Sequence, residues 1–136
     1  MSPKQFSRVS TTLFLTAAMV TSAALADEVR PVRIATHEQP DLDACLSMAR
    51  VVEAGGTGLA VRAAPDGAAA VTDEIAVGAV VFLCDTSEDE VWSGVVYPQT
   101  EDQDCGLGSG VETPKPYDGP CKSGWVLADR VPVEAG

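Results

Sequence analysis

A single histidine, His37, serves a chain of 136 residues, and aromatic residues make up only 5% of it. Cations are also scarce, with 9 Lys and Arg against 20 Asp and Glu. Each shortage narrows what the chain can do. With His37 alone in a polar stretch, Ser-His or Cys-His nucleophilic catalysis has little support, because the nucleophile needs an adjacent base. No CxxC pair is present, which argues against a structural zinc site. "GLGSG" (106–110) lacks the strand–turn–helix surroundings of a phosphate loop and reads as a flexible loop. The shortage of cations disfavours nucleic acid and anionic lipid as partners.

The apolar content is uneven. "MSPKQFSR" carries Lys4 and Arg8, an uncharged run follows from Val9 to Ala26, and Ala24-Leu25-Ala26 closes it. A basic start, a short apolar middle and a small-residue ending predict a secretory signal peptide over residues 1–26. The run is short and diluted by Ser and Thr, so it is not expected to remain as a membrane span. Cleavage there leaves 110 of the 136 residues, enough for one domain. Lys4 and Arg8 are then lost and all 20 acids kept, which makes the formal charge −13.

All four cysteines, Cys45, Cys84, Cys105 and Cys121, lie in the exported part. An even count in an oxidising compartment predicts two disulfides. Three pairings are possible. Cys45–Cys84 with Cys105–Cys121 is favoured, the second bridge closing a single loop, each worth roughly 3–4 kcal/mol on the chain-entropy account.

Residues 27–43 are polar and broken by Pro31 and Pro40, and read as a loose lead-in to a domain over 44–136. "ACLSMARVV" leans towards strand through its Val51-Val52 ending. "LAVRAAP" (59–65) alternates with period two until Pro65 stops it. Gly78 makes a bend, and Val80 to Cys84 are apolar on both faces, which places that strand centrally. "VWSGVVY" (91–97) returns, its Gly94 marking a bulge or close packing. Residues 98–121 form a long insertion too rich in Pro and Gly for regular structure, with Cys105 and Cys121 placed to staple it. "GWVLADRV" ends the domain as strand, tight turn and strand. Five or six short strands with no long helix predict an all-β barrel or sandwich.

The order of these segments resembles the bacterial SH3-like (SH3b-type) domain family. That family's habit is a "lnVRsgP" strand, an arm ending in glycine, a "gWykV" strand and a closing "GWVhssyl". Val61-Arg62 and Pro65, then Gly78, then Trp92 with Val95-Val96 at one extra residue of spacing, then Gly124-Trp125-Val126 and Val131, follow it over residues 58–133. The cysteines, the leading Cys45 strand and the long insertion depart from it, and resemble exported, cysteine-containing variants. The resemblance implies a small SH3-like barrel of five to six strands. It also implies that Gly124 lets the chain pass close to a neighbouring strand, and that Trp125 fills or borders the barrel.

The functional expectation is a non-catalytic binding module, periplasmic or secreted, monomeric and without a cofactor. Its expected ligand is a cell-envelope component, either a peptidoglycan peptide or a partner protein. Trp92, Tyr97, Tyr117 and Trp125 are the candidate ligand-binding residues, with the acids at 101–104 as neighbours. The eukaryotic polyproline groove is not expected, since its acidic, tyrosine-rich motif is missing. Glu88-Asp89-Glu90 reads as a solvated hairpin tip. Glu101, Asp102 and Asp104 offer hard oxygen ligands that suit calcium, without the EF-hand pattern. One alternative is a structural or inhibitor-like protein acting through its cross-linked loop. A small metal-dependent hydrolase is a more distant one.

Overall fold

In the computed structural model, residues 11–18, 28–37, 42–53, 55–56 and 58–135 are described. Most of the expected signal segment, residues 1–10 and 19–26, lies outside them, as do Asp27 and residues 38–41 of the expected lead-in. Residues 11–18 have no regular structure and expose Leu13, Phe14 and Leu15. Among the described residues, no helix is long and apolar enough to cross a membrane.

The domain is all-β. Among the described residues, nine strands follow in chain order: β1 (Arg33–Ile34), β2 (Ser47–Arg50), β3 (Gly58–Arg62), β4 (Val71–Ala76), β5 (Val80–Thr86), β6 (Trp92–Tyr97), β7 (Lys115–Pro116), β8 (Lys122–Leu127) and β9 (Val133–Ala135). A 3-10 turn, Ala128–Arg130, separates β8 from β9. Seven strands form one antiparallel sheet in the order β4-β3-β8-β6-β5-β2-β9, and β1 pairs with β7 apart from it. Among the described residues no ladder joins β4 to β9, so the sheet keeps two edges. It curls strongly all the same. Backbone bonds tie Val51 to Gly78 and Ala79 at the turn between β4 and β5. One inner cluster collects Ala49, Leu59, Val61, Ile75, Val81, Val95, Tyr97 and Val126, drawn from β2, β3, β4, β5, β6 and β8.

Local chemistry explains the turns. Gly78 has φ +85°, and the Ala79 N–H donates to Ala76 O, which needs a residue without a Cβ penalty. At the β5–β6 hairpin the Ser87 hydroxyl donates to Asp89 Oδ1 at 2.6 Å, and the Val91 N–H donates to the same oxygen at 3.1 Å. Ser87 Oγ also accepts from the Trp92 N–H at 3.0 Å. Asp89 thus organises the tip, where the sequence reading assigned it to solvation alone. Its bond from Ser87, seconded by Val91, holds its carboxyl below the usual range.

Part of the outer face, over β5, β6 and β8, is also buried, by two segments laid across it. A second cluster joins Val32, Ile34, Ala44, Cys45, Cys84, Trp92, Val96, Cys105, Leu107, Cys121 and Trp125. Residues 30–34 are therefore not a loose lead-in. Val32 and Ile34 are buried, the Arg30 N–H donates to Ala63 O, and β1 registers with β7 through Arg33↔Pro116 and Ile34↔Lys115. The sequence reading missed the period-two alternation of Arg30, Val32 and Ile34, because Pro31 and the flanking acids masked it. The packed domain accordingly begins before residue 44.

Close approaches explain two glycines. A Cβ on Gly124 would overlap Val61 Cγ1 of β3, which is the passage expected for it. A Cβ on Gly94 would stand 2.7 Å from Asp85 Cβ and 3.1 Å from Val32 Cγ1. Opposite Gly94 the β5 register slips between Leu83 and Asp85, so Cys84 occupies a β-bulge.

Candidate functional site

Both disulfides pair as favoured from sequence, Cys45–Cys84 and Cys105–Cys121, with Cα separations of 4.6 and 5.2 Å. Such bridges belong to an oxidising, extracytoplasmic environment. The second bridge spans a sequence separation of 16 and closes residues 105–121 of the long insertion into a loop. Tyr117 reinforces it: its hydroxyl donates to Cys105 O at 2.7 Å and accepts from the Cys121 N–H at 3.1 Å. Gln103 ties the start of the insertion to its end. Its Oε1 accepts from the Gln99 N–H at 2.8 Å, and its Nε2 donates to Pro120 O at 3.2 Å.

The four aromatic candidates do not form one exposed surface. Trp125 is fully buried; its indole N–H donates to Arg30 O at 2.7 Å, and the Arg30 guanidinium carbon lies 5.1 Å from the ring centroid. Trp92 and Tyr97 are both buried but face opposite sides of the sheet, Trp92 in the outer cluster and Tyr97 in the inner one. The Tyr97 hydroxyl donates to Asp73 Oδ2 at 2.7 Å, and Lys122 Nζ reaches the same oxygen at 3.2 Å. Burial, and then the bond to Asp73, hold the Tyr97 phenol well above its usual range and therefore protonated. The bond from Tyr97, then that from the Glu74 N–H, hold the Asp73 carboxyl below its usual range. Tyr117 is half-buried against the outer cluster with its hydroxyl engaged at the second bridge. Tyr97 and Tyr117 flank the insertion in sequence, which is what suggested aromatic faces beside it. Their polar handles are instead spent on the fold.

His37 is half-buried, and its Nε2 lies 2.8 Å from Asp43 O. Asp104 Oδ1 accepts from the Gly106 N–H at 2.8 Å, a turn contact within the insertion. Among the described residues, no group of three or more His, Cys, Asp or Glu is placed to hold a metal ion.

Two hollows lie near the residues singled out from sequence. One, of about 370 Å³, lies beside the Cys45–Cys84 bridge and is lined in part by Thr36, His37, Asp85 and Ser93. Its polar groups already satisfy the fold: Thr36 Oγ1 donates to Cys84 O at 2.9 Å, and Asp85 accepts from the Arg33 and Thr86 N–H groups. The other, of about 540 Å³, is a groove between the sheet and the start of the insertion. Its floor consists of two cross-strand rungs of β2 and β5, Met48 opposite Phe82 and Arg50 opposite Val80. These residues share the outer face, since Ala49 and Val81 between them point into the inner cluster. Pro98, Gln99, Thr100, Glu101 and Gln103 line the groove from the insertion, and Gly78 and Ala79 line it from the β4–β5 turn.

The groove is where the cover over the outer face stops. Further along β5, Cys84 lies under the outer cluster, and Phe82 packs against its edge. Beyond Phe82 nothing described lies over Met48 or Arg50, and both are exposed. The Gln103 bonds and the second disulfide hold the wall in place, so the hollow is preformed. Its volume falls within the roughly 300–1,000 Å³ common for binding pockets. Of the region singled out from sequence, Glu101 lines this groove; the four aromatics do not.

No protein-family model, no curated protein and no solved structure matches the chain.

Proposed function

We propose that this chain is a non-catalytic binding module of the exported type, SH3-like in build, which holds a segment of a cell-envelope partner in the Met48–Phe82 groove. One observation carries the reading. The N-terminal segment and the stapled insertion cover the outer face over β6, the middle of β8 and the Cys84 end of β5, and this cover stops at two rungs of β2 and β5, where the insertion stands as a wall beside exposed Met48 and half-buried Phe82 and Val80. The preformed wall lowers the ordering cost of binding. Insertion of the loop itself into a partner is less favoured, because β1–β7 pairing and Leu107 fasten the loop to the body.

The test uses the oxidised chain and its Met48→Glu variant, which places a charge on the groove floor at an exposed position. Both are incubated with isolated cell wall and, separately, with solubilised envelope protein. Retention of the parent chain on one fraction, lost in Met48→Glu with an unchanged circular dichroism spectrum, supports the proposal. Equal retention of the two chains, or none on either fraction, overturns it.

A further inference from the structure

The groove's surroundings also specify the charge of its occupant. Resting on the groove reading above, we propose that the bound segment is an extended peptide bearing lysine or arginine side chains.

The floor has the form of a strand surface. Two adjacent rungs on one face span about 7 Å along the strands, the distance between alternate residues of an extended chain. A short extended segment can set alternate side chains over Phe82 and Val80 while its intervening side chains turn towards the rims.

The rims favour cations. Arg50 is the one cation lining the groove, and it is already engaged: its Nε lies 3.4 Å from Glu134 Oε1, and its Nη1 donates to Gly78 O at 3.2 Å. On the opposite wall Glu101 is exposed and has no ion pair among the described residues. The wider surface repeats this pattern. Each of the seven cations beyond residue 26 is drawn into a contact: Arg30 over Trp125, Arg33 on Pro114 O, Arg62 on Ala69 O, and Arg50, Lys115, Lys122 and Arg130 in ion pairs. Among the described residues, four carboxylates, Asp73, Asp118, Asp129 and Glu134, share those pairs. The excess of 20 acids over seven cations beyond residue 26 gives a negative field that draws in a basic segment and repels an acidic one.

The experiment titrates the isotope-labelled, oxidised chain with three capped hexapeptides that alternate valine or threonine with lysine, glutamine or glutamate. Backbone amide shifts are followed by NMR. The lysine peptide is expected to shift residues 48–50, 80–82 and 99–103. It should bind at least about tenfold more tightly than the glutamate peptide, with the glutamine peptide between them. Glu101→Gln should weaken the lysine peptide about two- to fivefold and leave the glutamine peptide unchanged. Salt at about 1 M, where the Debye length falls to about 3 Å, should level the three affinities. Equal affinities at low salt would overturn the charge assignment while the groove survives. No groove shift with any peptide also overturns this proposal, and the Met48→Glu retention assay then decides the groove separately. Shifts at the groove that grow with protein concentration, without peptide, would assign it to a second copy of the chain and overturn the proposal.

Discussion

Tyr117→Phe removes one oxygen from the point where the two ends of the Cys105–Cys121 loop meet. That oxygen bonds Cys105 O and the Cys121 N–H on either side of the second disulfide. Without it a carbonyl and an amide of two buried residues lose a partner, at a cost of about 1–3 kcal/mol. The Cys105→Ser/Cys121→Ser pair removes a closure over 16 residues, worth about 3 kcal/mol. For a domain of this size each kcal/mol shifts the melting temperature by about 4–5 °C, so the two changes predict falls of about 4–15 °C and 12–15 °C. The decisive quantity is their combination. The hydroxyl can bridge the two strands of chain only while they are held together, so its loss should cost little once the disulfide is gone. Thermal unfolding of the four proteins, followed by circular dichroism, gives this coupling as a double-mutant cycle. Full additivity of the two losses, or a Tyr117→Phe change below about 1 °C in the oxidised protein, would refute the idea that phenol and disulfide form one clamp.

Three further outcomes follow from the packing and electrostatics. Gly124→Ala should destabilise by about 1–3 kcal/mol in urea unfolding, because the new methyl enters the space of Val61; an unchanged midpoint would contradict the close passage of β8 beneath β3. Val32→Ala should cost about 1–3 kcal/mol in the same assay, since the segment before residue 44 belongs to the core; a change under about 0.5 kcal/mol would return it to the status of a loose lead-in. Asp73 ionises more readily when folded, so its contribution is complete above its unfolded value of 3.8 and is lost as pH falls through the lower folded value. Asp73→Asn should therefore flatten the acid limb of stability below about pH 4, and an identical acid limb in both proteins would contradict the Tyr97–Asp73–Lys122 contact.

Short-range patterns carried much of the fold into the sequence. The alternation of Leu59 and Val61, the two-sided apolar run of β5 and the bend at Gly78 are local signals, and each lies where it was expected. The cysteine pairing followed from count and loop closure. What stayed hidden depends on distant partners. β1 is two residues long and exists only because β7 lies beside it, 81 to 83 residues further along the chain. The packing of the aromatic candidates was hidden for the same reason: the partner of the Tyr97 hydroxyl is 24 residues away and that of the Trp125 indole is 95 away. The groove was illegible in a different sense. Met48 and Phe82 are ordinary apolar residues on separate strands, and they become a site only through the β2–β5 register and the point where the outer cover ends.

Hydroxyl-radical footprinting read by mass spectrometry tests most directly whether binding surface and structural aromatics divide in this way. Met48 should oxidise fastest among the described large apolar side chains of the sheet, with Phe82 slower, while Trp125 and Tyr97 stay protected until the protein unfolds. Labelling of Trp125 and Tyr97 at rates matching Met48 in the folded, oxidised chain would contradict the account.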